Sequence, residues 1–200
     1  MLVWATIYGT NEWNILRGFI TGRKLDYFHY FGHGSGSAIG GGVSGHSTIT
    51  LNQLRSSSIL TSNRLTYVAL DGCRTLVDKD FIEAFTGYRG PVSRFTLAQQ
   101  GRNPHFGCGW DNSKQYGWIR PGGTTVYDDH FWFWQDFYYD LTRRDQSGLM
   151  FRQYKQAYQF AKEPGGSGVS HTLQTNSEAT GFKWVGCEDC RFDERPGIVQ

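Results

Sequence analysis

Two stretches of sequence decide the fold of this chain: YFHYFGHG at residues 27–34 and TYVALDGC at residues 66–73. Each begins with an apolar, aromatic and β-branched run that is typical of a buried strand. Each ends in a reactive residue beside glycine, His33 in the first and Cys73 in the second. A thiol needs a base to become a thiolate, and a glycine-flanked strand end leaves room for a substrate carbonyl. The two stretches therefore predict a cysteine nucleophile and a histidine base at one edge of a sheet.

Apolar periodicity, capping residues and turn residues predict the other elements. Besides residues 27–31, strands are expected at residues 2–8, 48–51, 64–70, 105–110 and 181–185, and helices at residues 11–20, 51–60, 77–85, 129–143 and 147–162. The glycine-rich residues 32–45 are predicted to form a loop over the cleft, and residues 87–103 to be irregular. Strands that alternate with helices predict an α/β fold, with a mostly parallel sheet and helices on both faces.

Length and composition exclude several classes of protein. The 200 residues are enough for one α/β domain and too few for two ordinary domains. The net charge is +2, and Lys and Arg are scattered along the chain, so no nucleic-acid or membrane partner is indicated. No run of about 18 apolar residues occurs, so no transmembrane helix is expected. Residues 1–8 lack the basic region of a signal peptide, which favours the cytoplasm.

The two ends of the chain bear on its domain organisation. Residues 1–8 have the pattern of a core strand that begins abruptly, so we expect an N-terminal truncation or a longer parent protein. Residues 1–200 are otherwise predicted to form a single domain, with residues 187–200 as a tail.

The order of the two motifs, a hydrophobic strand with His33-Gly34 and then a hydrophobic strand with Gly72-Cys73, resembles the caspase-like cysteine peptidases of clan CD. Within that clan the chain looks most like the bacterial CHAT-type domains, with similarity to separase and the gingipains. The resemblance implies a caspase-like sheet, His33 as general base and Cys73 as nucleophile. It also implies that the backbone amides of Gly34 and Cys73 form the oxyanion hole.

The activity that this resemblance implies is that of a cysteine endopeptidase. It would act on a polypeptide substrate through an acyl-enzyme, with no cofactor and no metal. Such domains are often silent until a partner or sensor domain repositions the loops of the active site.

A second motif, FGCGWD at residues 106–111, resembles the strand of the same clan that ends in a small residue, Trp and Asp. By resemblance to separase, Asp111 would lie in the substrate pocket and pair with an arginine at P1, the residue before the cleaved bond. A carboxylate can bind a guanidinium bidentately, which selects for both charge and shape. Trp110 would form a wall of that pocket. The alternatives are a solvated turn position for Asp111 and a core position for Trp110.

The resemblance extends over roughly residues 11 to 163, because the two helices at 129–143 and 147–162 resemble the pair that closes a CHAT domain. Two departures stand out. The segment 87–103 is longer than expected, and Cys73 is followed by Arg74-Thr75 where CHAT domains more often have Glu-Thr. His29 shares a strand face with His33, but His33 is preferred because it ends the strand and precedes Gly34.

Other assignments remain open beside the peptidase. Cys187-x-x-Cys190 could supply two zinc ligands, but no second close pair is present, so a local disulfide or two ordinary thiols are favoured. A catalytically inactive caspase-like scaffold for protein interactions is one alternative function. The other is an aromatic-rich domain that binds peptide or carbohydrate in a groove lined by Trp118, Trp132 and Trp134.

Overall fold

The computed structural model describes residues 14, 18, 27–40, 48–56, 66–102, 105–111, 118–119, 125–126, 129–143, 152–162 and 182–191. Within these residues the strands are β1 (Tyr27–Phe31), β2 (Gly34–Ser35), β3 (Ala38–Gly40), β4 (Thr48–Thr50), β5 (Tyr67–Asp71), β6 (Pro91–Val92), β7 (Phe106–Trp110), β8 (Trp118–Ile119), β9 (Thr125–Val126) and β10 (Phe182–Cys187). The helices are α1 (Leu51–Arg55), α2 (Lys79–Thr86), α3 (Arg94–Gln99), α4 (Asp129–Leu141) and α5 (Tyr154–Lys162). The strand predicted at 2–8 lies outside the described residues. So does the helix predicted at 11–20, apart from Asn14 and Gly18, which are helical.

The main sheet has five strands in the order β1-β5-β7-β10-β6. Three of its four pairings are parallel, and the pairing of β10 with β7 is antiparallel. Every residue of β5 and of β7 is buried, as expected for strands that are covered on both faces. The prediction of an α/β fold with a mostly parallel sheet is confirmed.

Helices cover the two faces of this sheet because successive side chains of a strand point to opposite sides. On one face, Phe28 of β1 stacks on Phe85 of α2, with ring centroids 6.0 Å apart. On the other face, Phe106 of β7 stacks on Tyr154 of α5, with ring centroids 4.0 Å apart. None of the described helices combines the length and the hydropathy that a membrane span requires.

The high aromatic content is used largely in the core between the sheet and α4. The Trp110 ring lies 5.4 Å from the ring of Phe133 and 5.3 Å from that of Phe182, and all three side chains are buried. Edge-to-face contacts of this kind add about 0.5–1.5 kcal/mol each beyond area burial. Trp134 is also buried, so it cannot line the binding groove suggested for it, and the side chains of Trp118 and Trp132 lie outside the description.

The described part of the predicted loop at residues 32–45 is not irregular, although its glycine content predicts a loop. Their described part, up to residue 40, forms the hairpin β2-β3, which pairs with β4 in a three-stranded antiparallel sheet. The turn is two residues long, Gly36-Ser37, and the fully buried Ile39 anchors the second strand. Two-residue turns favour glycine, so the same residues that suggest a loop also close a hairpin.

Residues 87–103 are likewise more regular than predicted. They contain β6 and α3, and the side chain of Ser93 caps α3 by accepting a hydrogen bond from the amide of Thr96. Elements of two and six residues are too short for hydrophobic periodicity to reveal. In the predicted tail, residues 187–191 are held against the domain, since the amide of Tyr154 donates to the carbonyl of Cys190 over 3.1 Å.

Candidate active site

The ends of β1 and β5 bring the two motifs side by side. These strands are parallel neighbours, with Phe31 opposite Asp71. The ladder continues beyond the strands, because the amide of Gly32 donates to the carbonyl of Asp71 over 3.1 Å. His33 and Cys73 are each the second residue after the last paired position, so they leave the same edge of the sheet from adjacent strands.

The absence of side chains at two glycines allows this close approach. A Cβ atom on Gly34 would lie 2.9 Å from the carbonyl oxygen of Cys73 and 2.7 Å from Cγ2 of Thr75. A Cβ atom on Gly72 would lie 3.0 Å from the carbonyl oxygen of Gly32. Real Cβ atoms are essentially not found at the distances calculated for Gly34, so alanine there would push the two motifs apart, and alanine at Gly72 would require a smaller shift of its neighbours.

The hairpin that follows His33 orients the backbone of Gly34. The amide of Gly40 donates to the carbonyl of His33 over 3.0 Å, so residues 33 and 40 form a hydrogen-bonded pair. Residues of an antiparallel pair alternate between hydrogen-bonded and non-hydrogen-bonded positions. Gly34, opposite Ile39, therefore directs its N–H away from β3. The hydrogen bonds of the β2–β3 hairpin therefore do not use this amide.

Tyr30 reinforces the same junction. Its hydroxyl donates to the carbonyl of His33 over 2.6 Å and accepts from the amide of Gly40 over 2.8 Å. The strand that carries the histidine, the histidine itself and the hairpin are thus joined by hydrogen bonds within eleven residues.

Thr75 and Leu76 hold the loop after Cys73. The Thr75 hydroxyl donates to the carbonyl of Leu70 over 2.7 Å and accepts from the amide of Trp110 over 3.3 Å. The amide of Leu76 donates to the carbonyl of Trp110 over 2.9 Å. Arg74, between these anchors and Cys73, has a φ of 57°, a left-handed conformation that is uncommon for a residue with a side chain.

Exposure at this edge is compatible with catalysis. The Cys73 side chain is half-buried and His33 is exposed, so a substrate backbone can approach both from solvent.

His29 lies lower on β1, where its ring packs 4.6 Å from that of Trp134 and its Nδ1 is hydrogen-bonded to the Tyr138 hydroxyl over 2.7 Å. His29 is therefore engaged with α4 and not positioned at the strand end.

A groove of about 530 Å³ begins beside the Cys73 loop on the α2 face of the sheet. It is lined by Leu76, Val77, Lys79, Arg89, Gly90, Pro91, Asp111, Lys183, Trp184 and Val185. Asp111 follows β7, so it lies at the same edge of the sheet as Cys73. Its carboxylate is 39% exposed and pairs with the Lys183 ammonium at 3.6 Å. The lining combines apolar residues with four charged ones, Lys79, Arg89, Asp111 and Lys183.

Trp110 does not line this groove. Its indole has no exposed surface and belongs to the aromatic core. A side chain buried to this degree can support the wall of a pocket from behind but cannot touch a substrate there. Of the two alternatives for Trp110, a pocket wall and a core position, the structure shows the core position.

The remaining cysteines have other surroundings. Cys108 is buried within β7, with its Sγ 3.8 Å from the Tyr67 hydroxyl, and burial raises the pKa of its thiol well above the ordinary value. Cys187 and Cys190 form a disulfide. Together with Asp189 they could offer three metal ligands within 4.8 Å of one another. Metal binding would first require reduction of the disulfide to two thiolates.

Comparison with protein-family models, with curated proteins and with solved structures finds no match. The functional argument therefore rests on the residues of this chain. Sequence reasoning missed two residues of the site, Thr75 and Lys183. The hydrogen bonds of Thr75 depend on how β7 lies against β5, and Lys183 reaches Asp111 only because β10 runs antiparallel to β7. No local sequence signal reports either arrangement.

Proposed function

We propose that the chain is a cysteine endopeptidase of the caspase-like type, with Cys73 as nucleophile and His33 as general acid and base. The observation that carries the proposal is the contact between the Gly32–Gly34 and Gly72–Cys73 segments, which two glycines make close enough for one substrate to reach both. The Cys73 side chain is half-buried and His33 is exposed, and a cysteine with a histidine base is a combination that supports nucleophilic catalysis.

The reaction proceeds in two stages. The Cys73 thiolate attacks the carbonyl carbon of the scissile amide, a C–S bond forms, and the carbonyl oxygen becomes an oxyanion. The amides of Gly34 and Cys73 donate hydrogen bonds to that oxyanion, a contribution of about 3 kcal/mol per donor in other enzymes. His33, which holds the proton taken from the Cys73 thiol, gives it to the leaving amine as the oxyanion re-forms the carbonyl and the C–N bond breaks. Water, deprotonated by His33, then attacks the thioester and releases the carboxylate product and the thiol.

The substrate preference proposed is a basic residue at P1. Asp111 supports this preference, because its half-exposed carboxylate lies at the margin of the groove that starts beside the Cys73 loop. A carboxylate so placed favours a guanidinium or an ammonium over an apolar or acidic side chain. The apolar lining of the groove suits the methylene groups of such a side chain.

Labelling with acyloxymethyl-ketone probes tests the proposal. Probes with Arg, Asp or Leu at P1 are added to the purified chain and to the variants Cys73→Ala and His33→Ala. We expect labelling of the unchanged chain, loss of labelling in Cys73→Ala, strong reduction in His33→Ala, and the highest rate with the Arg probe. Cys108→Ala is the matched control, since it removes a buried thiol of raised pKa and should leave labelling intact.

Three results of the labelling experiment would each contradict a different part of the proposal. Preference for the Asp or Leu probe would retain the peptidase and overturn the basic P1 preference. Labelling that persists in Cys73→Ala would show that another residue reacts. No labelling of any variant, together with intact folding by circular dichroism, is the result expected of an inactive scaffold or of a domain that needs an activating partner.

A further inference from the structure

Lys183 lines the groove that is proposed to bind the substrate side chain. It is opposite Gly109 in the β10–β7 pairing, and partners in such a pairing project from the same face of the sheet. That face is the one covered by the Cys73 loop, because a Cβ on Gly109 would lie 2.5 Å from Cδ1 of Leu76 and 2.7 Å from Oγ1 of Thr75. Lys183 therefore rises beside the loop and lines the groove.

The ammonium of Lys183 and the carboxylate of Asp111 form an ion pair at 3.6 Å, with the side chains 50% and 39% exposed. A pair this open to water is weak and can be exchanged for another. The other cations on the groove are Lys79 and Arg89. Arg89 is paired with Asp80 and with Glu83 on α2. The cation that is paired with Asp111 is Lys183.

We infer that Lys183 is a specificity-determining residue that competes with a basic substrate side chain for Asp111, an inference that rests on the proposed function. Lys183 would then reduce the preference of the groove for a basic residue without abolishing it. A lysine or arginine at P1 must displace the Lys183 ammonium from Asp111 and bind with that positive charge nearby. An apolar P1 residue leaves the ion pair intact and meets no such competition.

Equilibrium binding measures this competition without any need for turnover. The peptides acetyl-Ala-Ala-Arg-amide and acetyl-Ala-Ala-Leu-amide are titrated by calorimetry into full-length Cys73→Ala, with and without Lys183→Met. Methionine retains the apolar stem and removes the charge. We expect the Arg peptide to bind about fivefold more tightly to the Lys183→Met chain, the size of one exposed ion pair. The Leu peptide should bind equally to both.

Three further variants separate competition from other effects. Lys183→Arg should restore the weak binding of the Arg peptide, and Asp111→Asn should abolish the gain produced by Lys183→Met. Lys79→Met is the matched control, because it removes the same charge from the same groove away from the Asp111 pair. An equal gain with Lys79→Met, an equal gain for the Leu peptide, or no binding of the Arg peptide to Lys183→Met would each overturn the inference.

The two experiments distinguish failure of the peptidase proposal from failure of the inference about Lys183. If the probes never label Cys73 but Lys183→Met still tightens the Arg peptide selectively, the competition stands and the cleavage activity is rejected. If Cys73 is labelled but Lys183→Met changes nothing, the peptidase stands and the role of Lys183 is rejected.

Discussion

Thr75 anchors the Cys73 loop to the neighbouring strand by accepting a hydrogen bond from the amide of Trp110 over 3.3 Å. The same hydroxyl donates to the carbonyl of Leu70 over 2.7 Å and lies 3.1 Å from that of Gly72. One fully buried side chain thus joins the end of β5, the residue before the proposed nucleophile, and the end of β7. The position of Cys73 relative to Asp111 depends on this contact.

Thr75→Val keeps the shape of the side chain and removes the hydroxyl. We expect it to lower the free energy of unfolding by about 1–3 kcal/mol, because buried backbone groups lose their partner. Urea denaturation measures the loss. Probe labelling of Cys73 should slow at the same time, whereas Thr75→Ser should retain most of the labelling rate. A loss with serine as large as the loss with valine would contradict the dominant role given to the hydroxyl.

Gly34→Ala tests the close approach of the two motifs. The new methyl group would lie 2.9 Å from the Cys73 carbonyl oxygen, so the strand ends must separate, at a cost of about 1–3 kcal/mol. Probe labelling should be lost. Gly36→Ala, on the same hairpin, meets its nearest atoms at 3.9 Å and should label normally. Normal labelling of Gly34→Ala would contradict the proposed geometry.

Alkylation should distinguish the two cysteines outside the disulfide. Burial raises the pKa of the Cys108 thiol, so it remains protonated and unreactive at pH 8. Iodoacetamide should therefore modify half-buried Cys73 in the folded chain, and both cysteines only after unfolding in urea. Peptide mass spectrometry identifies the sites. Modification of Cys108 in the folded chain at a rate similar to Cys73 would show that the sheet opens readily.

Acid should weaken the contact between α1 and α2. Hydrogen bonds from Arg89 and then from Arg55 lower the pKa of Asp80 below its ordinary value of 3.8. An acid with a lowered folded pKa contributes stability above its unfolded pKa and loses it as the pH falls through the folded value. We expect this contribution to decline below pH 3.8. Asp80→Asn, measured by thermal unfolding from pH 7 to pH 2.5, should show a smaller change with pH than the unchanged chain.

Reduction of the Cys187–Cys190 disulfide should loosen the start of α5. The turn it closes accepts hydrogen bonds from the amides of Tyr154 and Lys155 through the carbonyls of Cys190 and Glu188. So short a loop contributes about 2 kcal/mol at most by restricting the unfolded chain. The urea midpoint should fall on addition of dithiothreitol. A chain with both cysteines changed to serine should have the lower midpoint and not respond to dithiothreitol.

Sequence patterns are sufficient to predict β1, β5 and β7, because long apolar runs between glycines have few other interpretations. The parallel pairing of β1 with β5 follows from that pattern, and with it the proximity of the two motifs. The hairpin at residues 34–40 is not predictable in the same way. Glycine and serine suit an open loop and a two-residue turn equally, and burial of Ile39 alone decides between them.

The residues of the candidate site also divide into those that the sequence predicts and those that it does not. His33 and Cys73 are recognisable because they end predicted strands. Trp110 is ambiguous in sequence, since a tryptophan beside an aspartate suits a pocket wall or a core, and only the packing of Phe133 and Phe182 around it selects the core. Lys183 is 72 residues from Asp111 in the sequence, and its contact depends on an antiparallel register that hydrophobicity does not encode.

The hydrogen bonds among Tyr30, His33 and Gly40 have a mechanical consequence. They fix the position of the hairpin relative to the backbone of the proposed base. The loop that carries Cys73 is held by other hydrogen bonds, those of the Thr75 hydroxyl with Leu70 and Trp110. A substitution of Tyr30 should therefore disturb the backbone at His33 first, and a substitution of Thr75 the backbone at Cys73.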